Sequence, residues 1–183
     1  MLGQEALSAL KQLLWAGGGE RVYALLDAAS VAGLLQRLHA QPRPAFECLL
    51  HGALAPDVAH VAPYLVALER DGELTDWVLA HGWGNHWASF ALARCALRPL
   101  WFHLRALTIV HGPDGNPKLF RYYDPRVLRA FLPTCSAEQV VQMFGPVGSF
   151  VLEAAPASSA LVFAHAGGAL QRSERALPAA AAG

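Results

Sequence analysis

Charge is scarce in this chain of 183 residues: 15% of them are Asp, Glu, Lys or Arg, and 14 basic side chains cancel 14 acidic ones to a formal net charge of +0. Without a positive field nothing gathers phosphates from a distance, which argues against general nucleic-acid or anionic-membrane binding. Lysine is nearly missing, present only as Lys11 and Lys118. Cysteine is confined to Cys48, Cys95 and Cys135. An odd number with no C-x-x-C spacing argues against a disulfide framework and reads as buried free thiols in a reducing compartment. The uncharged windows Trp77 to Ala93 and Ala154 to Gln171 are broken by Gly, Ser, Pro, His or Asn, short of the ~20 apolar residues that a spanning helix needs. Glu5 and Lys11 interrupt the first apolar stretch, against the pattern of a secretion signal. The expectation is a cytoplasmic chain without membrane insertion.

Motifs with a recognisable catalytic spacing are also lacking. His81 and His86 stand five apart across Gly82 and Gly84, whereas two zinc ligands on one helix stand three or four apart, and there is no H-E-x-x-H or Cys/His cluster. No metal and no cofactor are expected. None of Ser30, Ser89, Ser136 or Ser149 lies in G-x-S-x-G, and Cys95 lacks surroundings that lower a thiol pKa. The triplet Gly17-Gly18-Gly19 precedes an apolar run instead of following one, so it reads as a linker and not as a phosphate loop.

What the chain does have is apolar residues, 54% of the total, enough to fill the core of one domain. Leu7, Leu10, Leu13 and Leu14 give a helix over Gln4 to Trp15. Val22 to Leu26 is a continuous apolar run, which suits a strand buried on both faces and closed by Asp27. Ser30 is placed to cap a helix carrying Val31, Leu34, Leu35 and Leu38, stopped by Pro42 and Pro44. Further strands are expected at Phe46 to Leu50, Tyr64 to Leu68 and Trp87 to Cys95, with helices ending at Gly82 and following Pro99. Turn formers from Gly112 to Pro117 set a β-hairpin between Thr108-Ile109-Val110 and Leu119 to Tyr123. Asp124 with Pro125 starts a helix, Ser136 with Gln139 makes a capping box, and Gly145-Pro146 stops the helix that follows. Strands at Phe150 to Glu153 and Leu161 to His165 come last. The alternation predicts a single α/β domain, a mixed β-sheet with flanking helices and a β-hairpin. Its parts are an N-terminal helix and glycine linker over 1–20, the α/β domain over 21–168, and a disordered alanine-rich tail over 169–183.

Two stretches concentrate aromatics and arginine. In Gly82-Trp83-Gly84-Asn85-His86-Trp87 the tryptophans plug the edge of the core or anchor a partner. In Phe120 to Arg129, strand alternation would send Phe120 and Tyr122 to one face and Arg121 and Tyr123 to the other. Arg126 and Arg129 share a helix side. Asp124 is a cap that an arginine can pair with, yet the composition is also that of a protein-interface hot spot. Trp83, Trp87, Arg121, Tyr123, Arg126 and Arg129 are therefore the partner-contact candidates, and Asp27, Asp124, Pro125, Gly145 and Pro146 the structural ones.

The ordered set Tyr23-Ala24-Leu25-Leu26-Asp27, Ala62-Pro63-Tyr64-Leu65-Val66, Gly82-Trp83-Gly84, His103-Leu104-Arg105, Phe120 to Leu128, Phe131-Leu132-Pro133 and Phe144-Gly145-Pro146 resembles the adaptor chaperones of bacterial type VI secretion, a domain of unknown function (DUF4123). The likeness runs from Tyr23 to Glu153. It implies a non-enzymatic adaptor that binds a toxin effector and helps load it onto the VgrG spike protein. Two other readings stand beside it: a small hydrolase using His86 or His103 with Asp27 or Asp124, and a domain that only scaffolds another protein.

Overall fold

The structure is a computed structural model that describes residues 2–40, 43–112 and 114–179. Pro42 and Pro113, a helix stop and a turn residue by sequence, lie outside the described residues. In chain order the elements are α1 (Gln4–Leu14), β1 (Arg21–Asp27), α2 (Leu34–Leu38), β2 (Phe46–Cys48), α3 (Pro56–Ala59), β3 (Pro63–Leu68), α4 (Glu73–Gly82), β4 (Ala88–Ala93), α5 (Leu97–Ala106), β5 (Ile109–His111), β6 (Pro117–Leu119), α6 (Pro125–Phe131), a 3-10 turn (Leu132–Thr134), α7 (Ala137–Phe144), β7 (Val147–Glu153), β8 (Ser159–Ala166) and β9 (Ala169–Ala176).

Period-two alternation explains the layers. Val22, Ala24 and Leu26 of β1 face one core, with Leu7, Leu10 and Leu14 of α1, Leu34 and Leu38 of α2, and Val78 and Leu79 of α4. Tyr23 and Leu25 face the other, with Leu100 and Leu104 of α5, Leu128 of α6, and Val140, Met143 and Phe144 of α7. A strand covered on both sides needs no polar face, which is why β1 reads as an unbroken apolar run.

Seven strands form one sheet in the order β2-β3-β1-β4-β7-β8-β9, and β5 with β6 forms the separate hairpin. The α/β domain with flanking helices and a hairpin is thus present, while every pairing in the large sheet is antiparallel. The crossovers through α2 and α4 do join strands of one direction, as strand–helix alternation suggests. In each case, however, another strand enters the gap: β3 lies between β1 and β2, and β1 lies between β3 and β4.

Several local expectations hold. Asp124 caps α6, accepting from the Arg126 N–H at 2.9 Å with Pro125 in the first turn. Ser136 and Gln139 close a capping box on α7, and Gly145 ends that helix at φ 50°. Three differ. Ser30 does not cap α2, which begins after Gly33; Asp27 instead accepts from the Ala29 N–H at 3.1 Å and organises the turn itself. Phe120 to Tyr123 is not strand, since β6 ends at Leu119 and the chain turns. Tyr122 and Tyr123 consequently both enter the same core instead of alternating.

Residues 169–183 also differ from the expected tail. Ala169–Ala176 is β9, not a disordered tail, and residues 180–183 lie outside the described residues. β9 is largely exposed, with only Leu170 packed against a core, and so carries no apolar alternation to read. The readable signal was Gly167-Gly168, whose φ values of 56° and 88° make the tight turn between β8 and β9.

Candidate functional site

One end of the sheet gathers most of the residues that the sequence singles out. Antiparallel pairing brings the C-terminal ends of β1 and β7 beside the N-terminal end of β4. Asp27 and Glu153 therefore close their apolar strands side by side with the Gly82 to Trp87 turn. The Ser89 hydroxyl donates to the Tyr123 carbonyl at 2.9 Å and ties the segment before α6 onto β4. This delivers Asp124, Arg126 and Arg129 to the same end.

Three carboxylates lie buried there, Asp27, Asp124 and Glu153, at 2%, 4% and 1% exposure. Buried carboxylates need paired donors, and each has them. The Arg121 guanidinium donates to Asp27 through Nη2 at 2.6 Å. Arg126 donates to Asp124 through Nη2 at 2.7 Å and Nε at 3.0 Å. Glu153 accepts from the Gly84 N–H at 2.6 Å and pairs with His86 Nδ1. Arg129 Nη1 donates to the carbonyls of Glu153 at 3.2 Å and Ala154 at 3.4 Å.

The charges act on one another across the cluster. Burial opposes ionisation of Asp124, yet the hydrogen bonds from the Arg126 guanidinium and backbone outweigh it and hold its carboxyl below the ordinary range. Hydrogen bonding to Asp124 in turn raises Arg126, which also feels Glu153 and Asp27. Asp27 raises Arg121 in the same way. Only part of each guanidinium is used: the side chains of Arg121 and Arg126 are 47% and 49% exposed, so donors remain toward solvent.

The tryptophan turn is built on two left-handed positions, Gly84 at φ 84° and His86 at φ 61°. His86 is held in that conformation with its ring on Glu153. Trp83 is buried against Phe90 and donates Nε1–H to the Ala157 carbonyl at 2.9 Å, so it plugs the core. Trp87 is half-buried, its ring 4.9 Å from Trp77, and the Arg37 guanidinium lies 4.2 Å over Trp77. Tyr123 is buried, and that burial pushes its phenol up, with Asp27 adding to the effect and Arg121 opposing it. Trp83 and Tyr123 therefore have no free surface to offer a partner. Arg121, Arg126, Arg129 and Trp87 do.

Neither Asp27 nor Asp124 takes a histidine partner. His86 pairs with Glu153, and His103 hydrogen-bonds the Met143 carbonyl at 3.2 Å between α5 and α7. Among the described residues no group of three His, Cys, Asp or Glu is arranged to hold a metal ion, and no helix is long and apolar enough to cross a membrane. The three cysteines are free and half-buried, and burial raises the thiols of Cys48 and Cys135. Sequence reasoning missed Glu153. Its signal was available, an acid closing an apolar strand in the manner of Asp27.

Next to the cluster in sequence stands the β5–β6 hairpin, which exposes Ile109, Val110 and Leu119. A family model described as "Domain of unknown function (DUF4123)" matches residues 22–142, more than half of the chain. That span takes in Asp27, the tryptophan turn, the hairpin and Arg121 to Arg129. No curated protein and no solved structure matches the chain.

Proposed function

The chain belongs to the family of the domain of unknown function DUF4123, and from that membership we propose that it is a non-enzymatic adaptor chaperone of type VI secretion. In this reading it acts in the cytoplasm, binds a toxin effector and helps load it onto the VgrG spike. The observation that carries the reading is the pair Arg121 and Arg126, each fixed from beneath by a buried carboxylate and about half exposed above it. A guanidinium held in this way is pre-organised, so less side-chain entropy is lost when a partner's carboxylate or carbonyl meets its remaining donors. Arg129 and the half-buried Trp87 extend the same surface. The exposed apolar residues of the β5–β6 hairpin supply what arginines lack, surface that gains by leaving water. Asp27 and Asp124, the acids of the hydrolase alternative, pair with Arg121 and Arg126 and not with His86 or His103, which favours the adaptor reading over that one.

The test is co-expression of the tagged chain with the spike and the toxin encoded beside it. The native chain is expected to retain at least one of them. Alanine is a poor probe at Arg121 or Arg126, because it strands a buried carboxylate. Arg121→Lys with Arg126→Lys keeps a cation on each carboxylate while removing the planar donors that face solvent. This double variant is expected to lose capture at least ten-fold with a melting temperature within a few degrees of native. Failure to retain either partner, or full capture by the double variant, overturns the reading.

A further inference from the structure

β9 ends the strand order of the sheet, so among the described residues one of its edges has no neighbour. Which backbone groups it presents there follows from the ladder. The Leu177 N–H donates to the Ser158 carbonyl at 2.9 Å, continuing the register that sets Ser159 opposite Ala176. In an antiparallel ladder hydrogen-bonded pairs recur at every second residue. Arg175, Ser173, Gln171 and Ala169 therefore turn their N–H and C=O groups toward β8. Leu170, Arg172, Glu174 and Ala176 turn theirs outward.

We propose that this edge pairs with β9 of a second copy of the chain, antiparallel, about a two-fold axis at Ser173. Outward residues pair only with outward residues, which restricts the register to a few choices. An axis on Arg172 sets that arginine against its own copy, and an axis on Glu174 does the same with the glutamate. The axis on Ser173 sets Arg172 opposite the partner's Glu174, Glu174 opposite the partner's Arg172, and Leu170 opposite the partner's Ala176. Opposite charges directly across a strand pair stabilise it and like charges destabilise it, so charge selects this register. Both side chains are about half exposed: within one chain they pair with each other at 3.8 Å on one face, an exposed contact that the partner's opposite charge can replace, while Glu174 also accepts from the Ser159 hydroxyl. The pairing is isologous, so it closes at two copies and joins two seven-stranded sheets into one. It also covers the edge that β9 leaves open among the described residues. The inference is independent of the adaptor reading.

Sedimentation of the full chain over a concentration series tests it. The native chain is expected to move from the mass of one copy to that of two as concentration rises. Glu174→Arg sets arginine against arginine across the axis, and Arg172→Glu sets glutamate against glutamate. Each is expected to weaken dimerisation about ten-fold or more. An equal mixture of the two variants opposes two arginines with two glutamates and is expected to recover the two-copy mass, which also shows that both variants fold. A native chain that stays at one copy throughout overturns the proposal. So does a dimer that survives both substitutions, or a mixture that fails to recover it.

Discussion

The residue that most directly couples stability to solvent conditions is Asp124, because it caps α6 and holds Arg126 at the same time. Replacing it with alanine removes a cap worth about 1 kcal/mol and frees the Arg126 guanidinium. A melting temperature lower by roughly 2–4 °C, or more, is expected in calorimetry. The sign of the pH effect follows from its depressed folded-state pKa. A carboxyl held below its ordinary value of 3.8 contributes stability that is fully present above that value and lost as pH falls through the folded value. The gap in stability between the native chain and Asp124→Asn should accordingly be constant from pH 7 to pH 5 and shrink below about pH 4. Arg121→Ala is different in kind. It leaves Asp27 buried with only the Ala29 N–H and the Ser30 hydroxyl as donors. Because the arginine itself is half exposed and its pairing screened, a loss of about 1 kcal/mol, at the low end for a stranded buried acceptor, is the expected result of chemical denaturation.

At the scale of elements, the hairpin of β8 and β9 hangs on two adjacent glycines with unequal tolerance. A Cβ on Gly168 would meet the Ala137 carbonyl oxygen at 2.9 Å and Ala137 Cβ at 3.1 Å, at a φ of 88° that side chains rarely adopt. Gly167, at φ 56°, has open space. Gly168→Ala should therefore cost more than 1 kcal/mol and raise amide exchange along β9, whereas Gly167→Asn, suited to the left-handed region, should change neither by much. Legibility in the sequence divides along the same line. Elements that bury a face announce themselves: α1 and α4 stand in the sequence as apolar periodicity and β1 and β3 as unbroken apolar runs, while α7 is marked by its capping box. Elements defined by what they pair with do not: β9 has one large apolar side chain, Leu170, and its existence rests on a ladder to β8. The candidate site follows the same rule. The cap Asp124 was readable because cap and helix are adjacent in sequence. The contact between Arg121 and Asp27 spans 94 residues and is created only when β1 and the segment before α6 meet at one end of the sheet.

For the whole molecule, the two cores share one sheet, and neither can dissolve without stripping a face from the other. Leu25 and Leu26 test this, since neighbouring residues of one strand enter opposite cores and both are fully buried. Leu25→Ala and Leu26→Ala should each cost about 2–5 kcal/mol. Unfolding of either variant should remain a single transition, coincident by tryptophan fluorescence and by circular dichroism. Two separated transitions would mean that the layers melt apart. The strand order carries a further consequence for synthesis. β1 closes at Asp27, while the strands that flank it in the sheet begin at Pro63 and Ala88. On a ribosome adding ~5–20 residues per second, β1 is complete roughly 2–7 s before the first of those neighbours starts to emerge. During that interval its two apolar faces and both of its edges are bare. A strand enclosed on both faces and both edges in the finished protein is thus the one most in need of a holdase while the chain is being made.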